Sequence, residues 1–254
     1  MSSPVLSAAI LYAGPSMLDG SPIVAIMTGH EDPSDNDKTG AIPQVWILRS
    51  DIAPHEAIKT GDDSAVCGDC PLRPSVAAKG EPVCYVRTFQ APLSIYRKHE
   101  RGGYGYVDAD SLARISAPTI RIGAYGDPAA VPLHVWDTLA SLTGAKILGY
   151  SHQWRKVPQI ARYAMASVES SADAQEAHAL GFRTFRVMSK VRNEAPNRGE
   201  ALCPASKEAG YRKTCATCGA CDGTARGNRA SIAIFEHRRK GASRPSTPPL
   251  PLPL

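Results

Sequence analysis

PTIRIGAYGDPAAVPLHVWDTLASLTGAKILGY, residues 118–150, reads as strand, helix and strand. Residues 119–124 carry β-branched Thr119, Ile120 and Ile122 and run into a Gly-rich turn, as a buried strand does. Residues 131–142 place Leu133, Trp136, Leu139 and Ala140 on one helical face. Residues 146–150 (KILGY) are apolar again and short enough for a second strand. A strand, a helix of about ten residues and another strand make a βαβ unit, whose strands lie parallel.

The pattern continues outward. A short helical piece follows Pro158, and residues 163–168 (YAMASV) read as a strand. Ser170 and Ser171 open a helix over 172–180, which Gly181 stops. Residues 182–188 and 231–235 (SIAIF) are further strands. Towards the N-terminus, 44–48 (QVWIL) is a strand, and 8–13 and 23–27 form a strand pair. Residues 91–102 suit a short helix buried through Leu93, Ile95 and Tyr96. The GGYGY that follows reads as a turn. The expected fold is α/β, a partial (β/α)6 TIM-type barrel with Cys-rich metal-binding loops. Residues 1–43 supply an N-terminal strand pair and polar loop, 44–237 the barrel-like domain, and 238–254 a basic, Pro-rich tail that cannot pack and is expected to be disordered.

The 254 residues are 43 % hydrophobic with net charge +5, enough apolar content for a core and basic enough for a nucleotide or nucleic-acid partner. No apolar run approaches the ~20 residues of a membrane span. No basic leader precedes an apolar stretch, so a cytoplasmic protein with reduced thiols is expected.

All seven cysteines fall in two clusters. Cys67, Cys70 and Cys84 are spaced C-x2-C-x13-C in a Pro- and Gly-rich loop. Cys203 is followed by the C-x2-C-x2-C run of Cys215, Cys218 and Cys221. Clustered thiols that are odd in number and carry no secretory signal favour metal over disulfides. Two chemistries remain: tetrahedral zinc, which four cysteines complete, and an iron–sulfur cluster. The three-Cys set needs a fourth ligand, for which His30, His99 and His152 are candidates, or keeps an open position for a ligand.

In α/β barrels reactive groups sit at the C-terminal ends of strands. Gly123, Tyr125, Gly126 and Asp127 follow one strand here. His152, Gln153, Trp154 and Arg155 follow the next, and Ser167 and Glu169 a third. Asp127, His152 and Arg155 are therefore the catalytic candidates, with Arg155 suited to a phosphate.

This order of parts resembles the radical S-adenosylmethionine enzymes. GAYGDP at 123–128 is similar to that superfamily's Gly-rich acidic motif, with Asp127 in place of Glu. The usual spacing there is C-x3-C-x2-C; some members instead pair C-x2-C with a distant third cysteine, as here. The phrases KTGAIPQVWIL, CGDCPLRP, IRIGAYGDPAAVP and LCPASKEAG also resemble the phage and prophage "gene product 88"-like family. The resemblance implies a 4Fe-4S cluster on Cys67, Cys70 and Cys84. It implies S-adenosylmethionine held by Gly123, Tyr125, Gly126 and Asp127, with Ser167 and Glu169 at its ribose. A second cluster or zinc would lie at Cys203, Cys215, Cys218 and Cys221. It further implies an electron donor, a nucleotide or DNA substrate such as a modified thymidine, and a phage protein in host cytoplasm. The alternative is a zinc-stapled nucleic-acid-binding protein without catalysis, stacking bases on Tyr104, Tyr106 or Trp154.

Overall fold

The computed structural model describes residues 8–30, 38–77, 84–190, 192–210, 212–224, 227 and 229–236. The expected tail at 238–254 and most of the polar loop at 29–40 lie outside these. The fold is α/β, with one mixed and one parallel sheet.

The first sheet is built on β1 (Ala8–Pro15), β2 (Pro22–Thr28) and β3 (Gln44–Arg49). These three pair antiparallel in sequence order. Every residue of β2 between its end residues is buried, because β2 is covered on both faces. β4 (Gly105–Tyr106) lies parallel to β1 on the outer edge. On the other side β5 (Thr119–Tyr125) pairs parallel with β3, and β6 (Lys146–Leu148) parallel with β5.

The second sheet is wholly parallel. β7 (Tyr150–Ser151) pairs with β8 (Met165–Val168), β8 with β9 (Thr184–Met188), β9 with β11 (Ser231–Phe235), and β11 with β10 (Glu200–Leu202). Gly149 alone separates β6 from β7. Its N–H donates to the Cys221 carbonyl and its own carbonyl accepts from Met165 N–H. A Cβ there would stand 2.7 Å from Ile122 Cγ1, so only glycine lets the chain pass from one sheet to the other this close to β5. Through Gly149, parallel strands follow one another in the order β3, β5, β6/β7, β8, β9, β11, β10. β4 and β10 are outer strands, and no described pairing closes the sheets on themselves.

The helices are short. α1 (Pro54–Thr60) starts on proline and ends at Gly61 with φ 87°, a start and stop signal that the sequence does carry. α2 (Ser64–Cys67), α3 (Ala91–Glu100) and α4 (Ala109–Ala113) follow. α5 (Leu133–Thr143) buries Trp136 and Leu139, as its periodicity requires. α6 (Ser171–Ala179) begins at Ser170, whose hydroxyl accepts from Asp173 N–H. α7 (Cys215–Cys218) is a single turn in a Thr214/Thr217 capping box.

Several expectations need correction. Cys67 ends a helix rather than lying in loop. Residues 146–150 are two strands in different sheets. The strand expected from 163 starts at Met165, because Tyr163 closes a 3-10 turn over Pro158–Arg162. GGYGY contributes an edge strand. α1, α4 and β10 have no counterpart in the sequence reading, because each is too short for its periodicity to register.

Candidate functional site

Strand alternation sets the site. On β5, Ile120 and Ile122 point into the core, both fully buried, and Arg121, Gly123 and Tyr125 point the other way. These three residues line a cavity of about 180 Å³. The ends of the neighbouring strands close it, through Tyr150 of β7, Ser167 of β8, Phe185 and Val187 of β9, and Ile234 of β11. Cys67, Cys70 and Cys84 line the same cavity, as do Asp127, His152 and Cys215.

The first cysteine loop is fastened from behind. Asp63, one residue before α2, is 1 % exposed, and Arg73 is 8 % exposed. The Arg73 guanidinium also donates to the carbonyls of Gly68 and Gly61, both at 2.7 Å. Gly68 has φ 59°, ψ −133°, and a Cβ on it would lie 2.3 Å from Gln153 Cδ. Glycine therefore lets Gln153 pack on the loop, where its Nε2 donates to the Cys67 carbonyl at 3.1 Å. Burial pushes the Cys67 thiol well above its ordinary range. The neighbouring Cys70 and Cys84 sulfurs and the Asp63 and Asp127 carboxylates push the same way.

Asp127 sits at the start of the 3-10 turn Pro128–Ala130. Its Oδ1 accepts from Ala129 N–H at 2.9 Å and Ser151 Oγ at 2.7 Å, and its Oδ2 from His152 N–H at 2.7 Å. Its own N–H donates to the Val66 carbonyl at 2.6 Å, tying the turn to the first cysteine loop. Burial raises its carboxyl above the ordinary range, against the bonds from Ser151, Ala129 and His152, which favour the ionised form. Three of the roughly four acceptor sites of the carboxylate are taken by its own chain.

His152 Nε2 stands 2.7 Å from Glu169 Oε1, and the ring also meets the Cys70 thiol. Burial works to lower the imidazole. The contacts with Cys70 and Glu169 outweigh it and hold the ring well above its ordinary value. Of His30, His99 and His152, His152 alone lines the cavity. Ser167 faces the cavity, whereas Glu169 faces His152 and an adjoining pocket shared with Arg155.

Arg155 does not reach the main cavity. It donates two hydrogen bonds to Glu176 at 2.8 and 2.5 Å and one to Asp173 at 2.7 Å, and it stacks on Trp154 at 3.8 Å. That fixes it as an anchor of α6. Trp154 is 1 % exposed and packs edge-on against Phe182, so it offers no face to a base.

The second cysteine set is built alike. Cys203, Cys215, Cys218 and Cys221 lie close enough that the charge on each of the other three raises the Cys221 thiol. Burial is the larger cause, and together they bring it to about 12, while the Tyr150 hydroxyl opposes them. Arg183 fastens this loop, donating to Asp222 Oδ1 and to the carbonyls of Ala220, Gly223 and Ala230 at 2.8–2.9 Å. Lys38 and Thr39 join from the N-terminal side, where their carbonyls accept from Cys215 and Ala216 N–H.

The donor chemistry of both sets fits a thiophilic metal. Cys203 is buried and the other six are half-buried, and neighbouring sulfurs lie close enough to raise Cys67 in the first set and Cys221 in the second. The Tyr125 hydroxyl on the cavity wall is buried with no hydrogen-bond partner among the described residues. As placed, no group of three or more His, Cys, Asp or Glu side chains among the described residues forms a coordination shell. The fastening arginines Arg73 and Arg183 and two partners of Asp127, Ala129 and Ser151, carry no short motif and are not legible in the sequence, whereas its third partner, His152, is. Among the described residues no helix is long and apolar enough to cross a membrane. No protein-family model, curated protein or solved structure matches the chain.

Proposed function

We propose that this chain is an iron–sulfur enzyme of the radical S-adenosylmethionine type, acting on a nucleotide or phage DNA base, in which it isomerises or rearranges a modified thymidine. The observation that carries the reading is the convergence of Cys67, Cys70 and Cys84 with the Gly123–Gly126 turn, Asp127 and Ser167 on one cavity at the ends of parallel strands. On this reading the parallel run from β3 to β11 is a partial (β/α)6 barrel with its site at the C-terminal rim.

Cys67, Cys70 and Cys84 would hold a 4Fe-4S cluster, which when bound would supply one-electron chemistry to S-adenosylmethionine, with the electron coming from an electron donor. Gly123 and Gly126, with φ 70° and 80°, shape the turn on the cavity wall along which the cosubstrate would lie. Asp127 orders that turn and has one acceptor site left for an amino group. The Tyr125 hydroxyl has its partner still to gain. The apolar walls from Phe185, Val187 and Ile234 exclude water. Cys203, Cys215, Cys218 and Cys221 hold a second cluster or a zinc. An electron donor and a host-cytoplasmic setting for a phage protein go with this reading.

Anaerobic purification followed by iron, sulfide and zinc analysis tests it. The expected result is a brown protein with sulfide, and broad absorbance near ~400 nm that falls in Cys70→Ala while the protein stays folded. S-adenosylmethionine cleavage is then the assay. A colourless protein with zinc and no sulfide, even after anaerobic reconstitution, sinks the radical reading. It would favour the zinc-stapled nucleic-acid-binding protein, for which the closeness of all four thiols in the second set speaks.

A further inference from the structure

Among the described residues, the buried arginines have carboxylate partners. Arg73 has Asp63, Arg183 has Asp222, and Arg186 has Glu200 at 2.8 Å. Arg121 differs. It projects from the middle of β5 into the cavity between the two cysteine sets, half-buried, and no carboxylate pairs with it among the described residues. Its Nη2 donates to the Tyr85 hydroxyl at 3.3 Å, and its guanidinium stands 5.9 Å from the Tyr150 ring. Its Nε is buried without a hydrogen-bond partner. A guanidinium withdrawn from water in this way is costly unless an anion meets it.

Arg121 and Tyr85 also form the wall between the cavity and a neighbouring groove of about 590 Å³. Arg87, Trp46, Gln44 and Gln90 line that groove, and no Asp or Glu does among the described residues. Two guanidinium groups, an indole, a phenol and two side-chain amides match a ligand with a phosphate, an aromatic face and a hydrogen-bonding edge. We infer that Arg121, with Tyr85 beside it, holds the phosphate of a nucleotide that lies in this groove and sends its reacting part into the cysteine-lined cavity. This deepens the reading above and rests on it only for the cavity being where reaction occurs. The phosphate role expected of Arg155 thus passes to Arg121.

Calorimetric titration of the full chain with dTMP, thymidine and S-adenosylmethionine tests the inference. Wild type should bind dTMP more tightly than thymidine. Arg121→Gln should weaken dTMP by about 10- to 100-fold, the loss of a charge-assisted hydrogen bond. Thymidine binding should stay unchanged, and the thermal midpoint of the ligand-free variant should be no lower than wild type, since the guanidinium it loses has a buried Nε without a partner. Should Arg121→Gln fail to fold, Arg121→Lys keeps the charge without the two-pronged geometry and should still weaken dTMP several-fold, and exposed Arg87→Gln should weaken it less. A short thymidine oligonucleotide separates the two phosphate sources: tighter binding than dTMP assigns the phosphate to a DNA strand, weaker binding to a free nucleotide. Equal binding of dTMP and thymidine by wild type overturns the inference. So does the absence of dTMP binding at millimolar concentration, or a loss in Arg121→Gln confined to S-adenosylmethionine. A zinc-only protein that still shows the Arg121 effect would remove the iron–sulfur reading and leave this one standing.

Discussion

Arg73 grips Asp63 with two hydrogen bonds, Nη2 to Oδ1 at 2.6 Å and Nε to Oδ2 at 3.0 Å, beneath the loop that carries Cys67 and Cys70. The pair is out of water, and the guanidinium gives two further donors to loop carbonyls. Arg73→Met would strand the Asp63 carboxylate in the interior. The expected loss is about 3–5 kcal/mol, read as a lowered urea midpoint. A midpoint equal to wild type would show that the pair does not hold the loop.

Asp127 is expected to be more than a ligand contact, since it receives three hydrogen bonds from Ala129, Ser151 and His152. Asp127→Asn replaces one accepting oxygen by an NH2 group that faces either the His152 N–H or the Ala129 and Ser151 donors. A cost of about 1–3 kcal/mol should follow from the unmet buried groups. Equilibrium denaturation checks it, and an unchanged stability would mean that the turn does not depend on the carboxylate.

Gly126 lies against the neighbouring strand. Its φ is 80°, and a Cβ would stand 2.6 Å from the Ile47 carbonyl oxygen, backbone that cannot swing aside. Gly126→Ala should cost about 1–3 kcal/mol or more through strain and should displace the cavity wall at Tyr125. Thermal unfolding of the variant is the measurement, and a midpoint within experimental scatter of wild type would count against the tight approach of this turn to β3.

The Ser170 hydroxyl and then Arg155 hold the Asp173 carboxyl below the usual carboxylate range, against the opposing effect of burial. A depressed folded value stabilises the fold above the unfolded value of about 4. That contribution is lost as the pH falls through the folded value. Asp173→Asn should therefore be less stable than wild type at neutral pH, with the difference closing at acid pH. Denaturation curves across this range decide it; a difference that persists at low pH would contradict the assignment. The effect should be small, because Asp173 is partly in water.

Local chemistry made much of this protein legible. The β-branched and apolar runs at 119–124 and 231–235, the buried run of β2, the Ser170 start of α6 and the face of α5 each express a preference complete within a few residues. Cysteine spacing likewise announced two thiol sets. It did not announce Arg73 or Arg183, because an arginine that fastens a loop is recognised by the carbonyls around it, and these come from residues far along the chain. Nor did it separate Arg155 from Arg121. Arg155 looked exposed to a ligand by its position after a strand, yet Asp173 and Glu176, about twenty residues away, already occupy it. Arg121 looked like an ordinary strand residue, yet it is turned to a cavity and pairs with no carboxylate among the described residues.

The sequence by itself determined the α/β alternation, the parallel strands after residue 118 and the grouping of the thiols, since each follows from hydrophobic periodicity or close spacing. Only the tertiary structure decided that Gly149 passes the chain between two sheets, that both cysteine sets reach toward one cavity, and which charged side chains are already paired. Those outcomes depend on which strands become neighbours, and pairing across such distances is set by packing of the whole core rather than by any local preference.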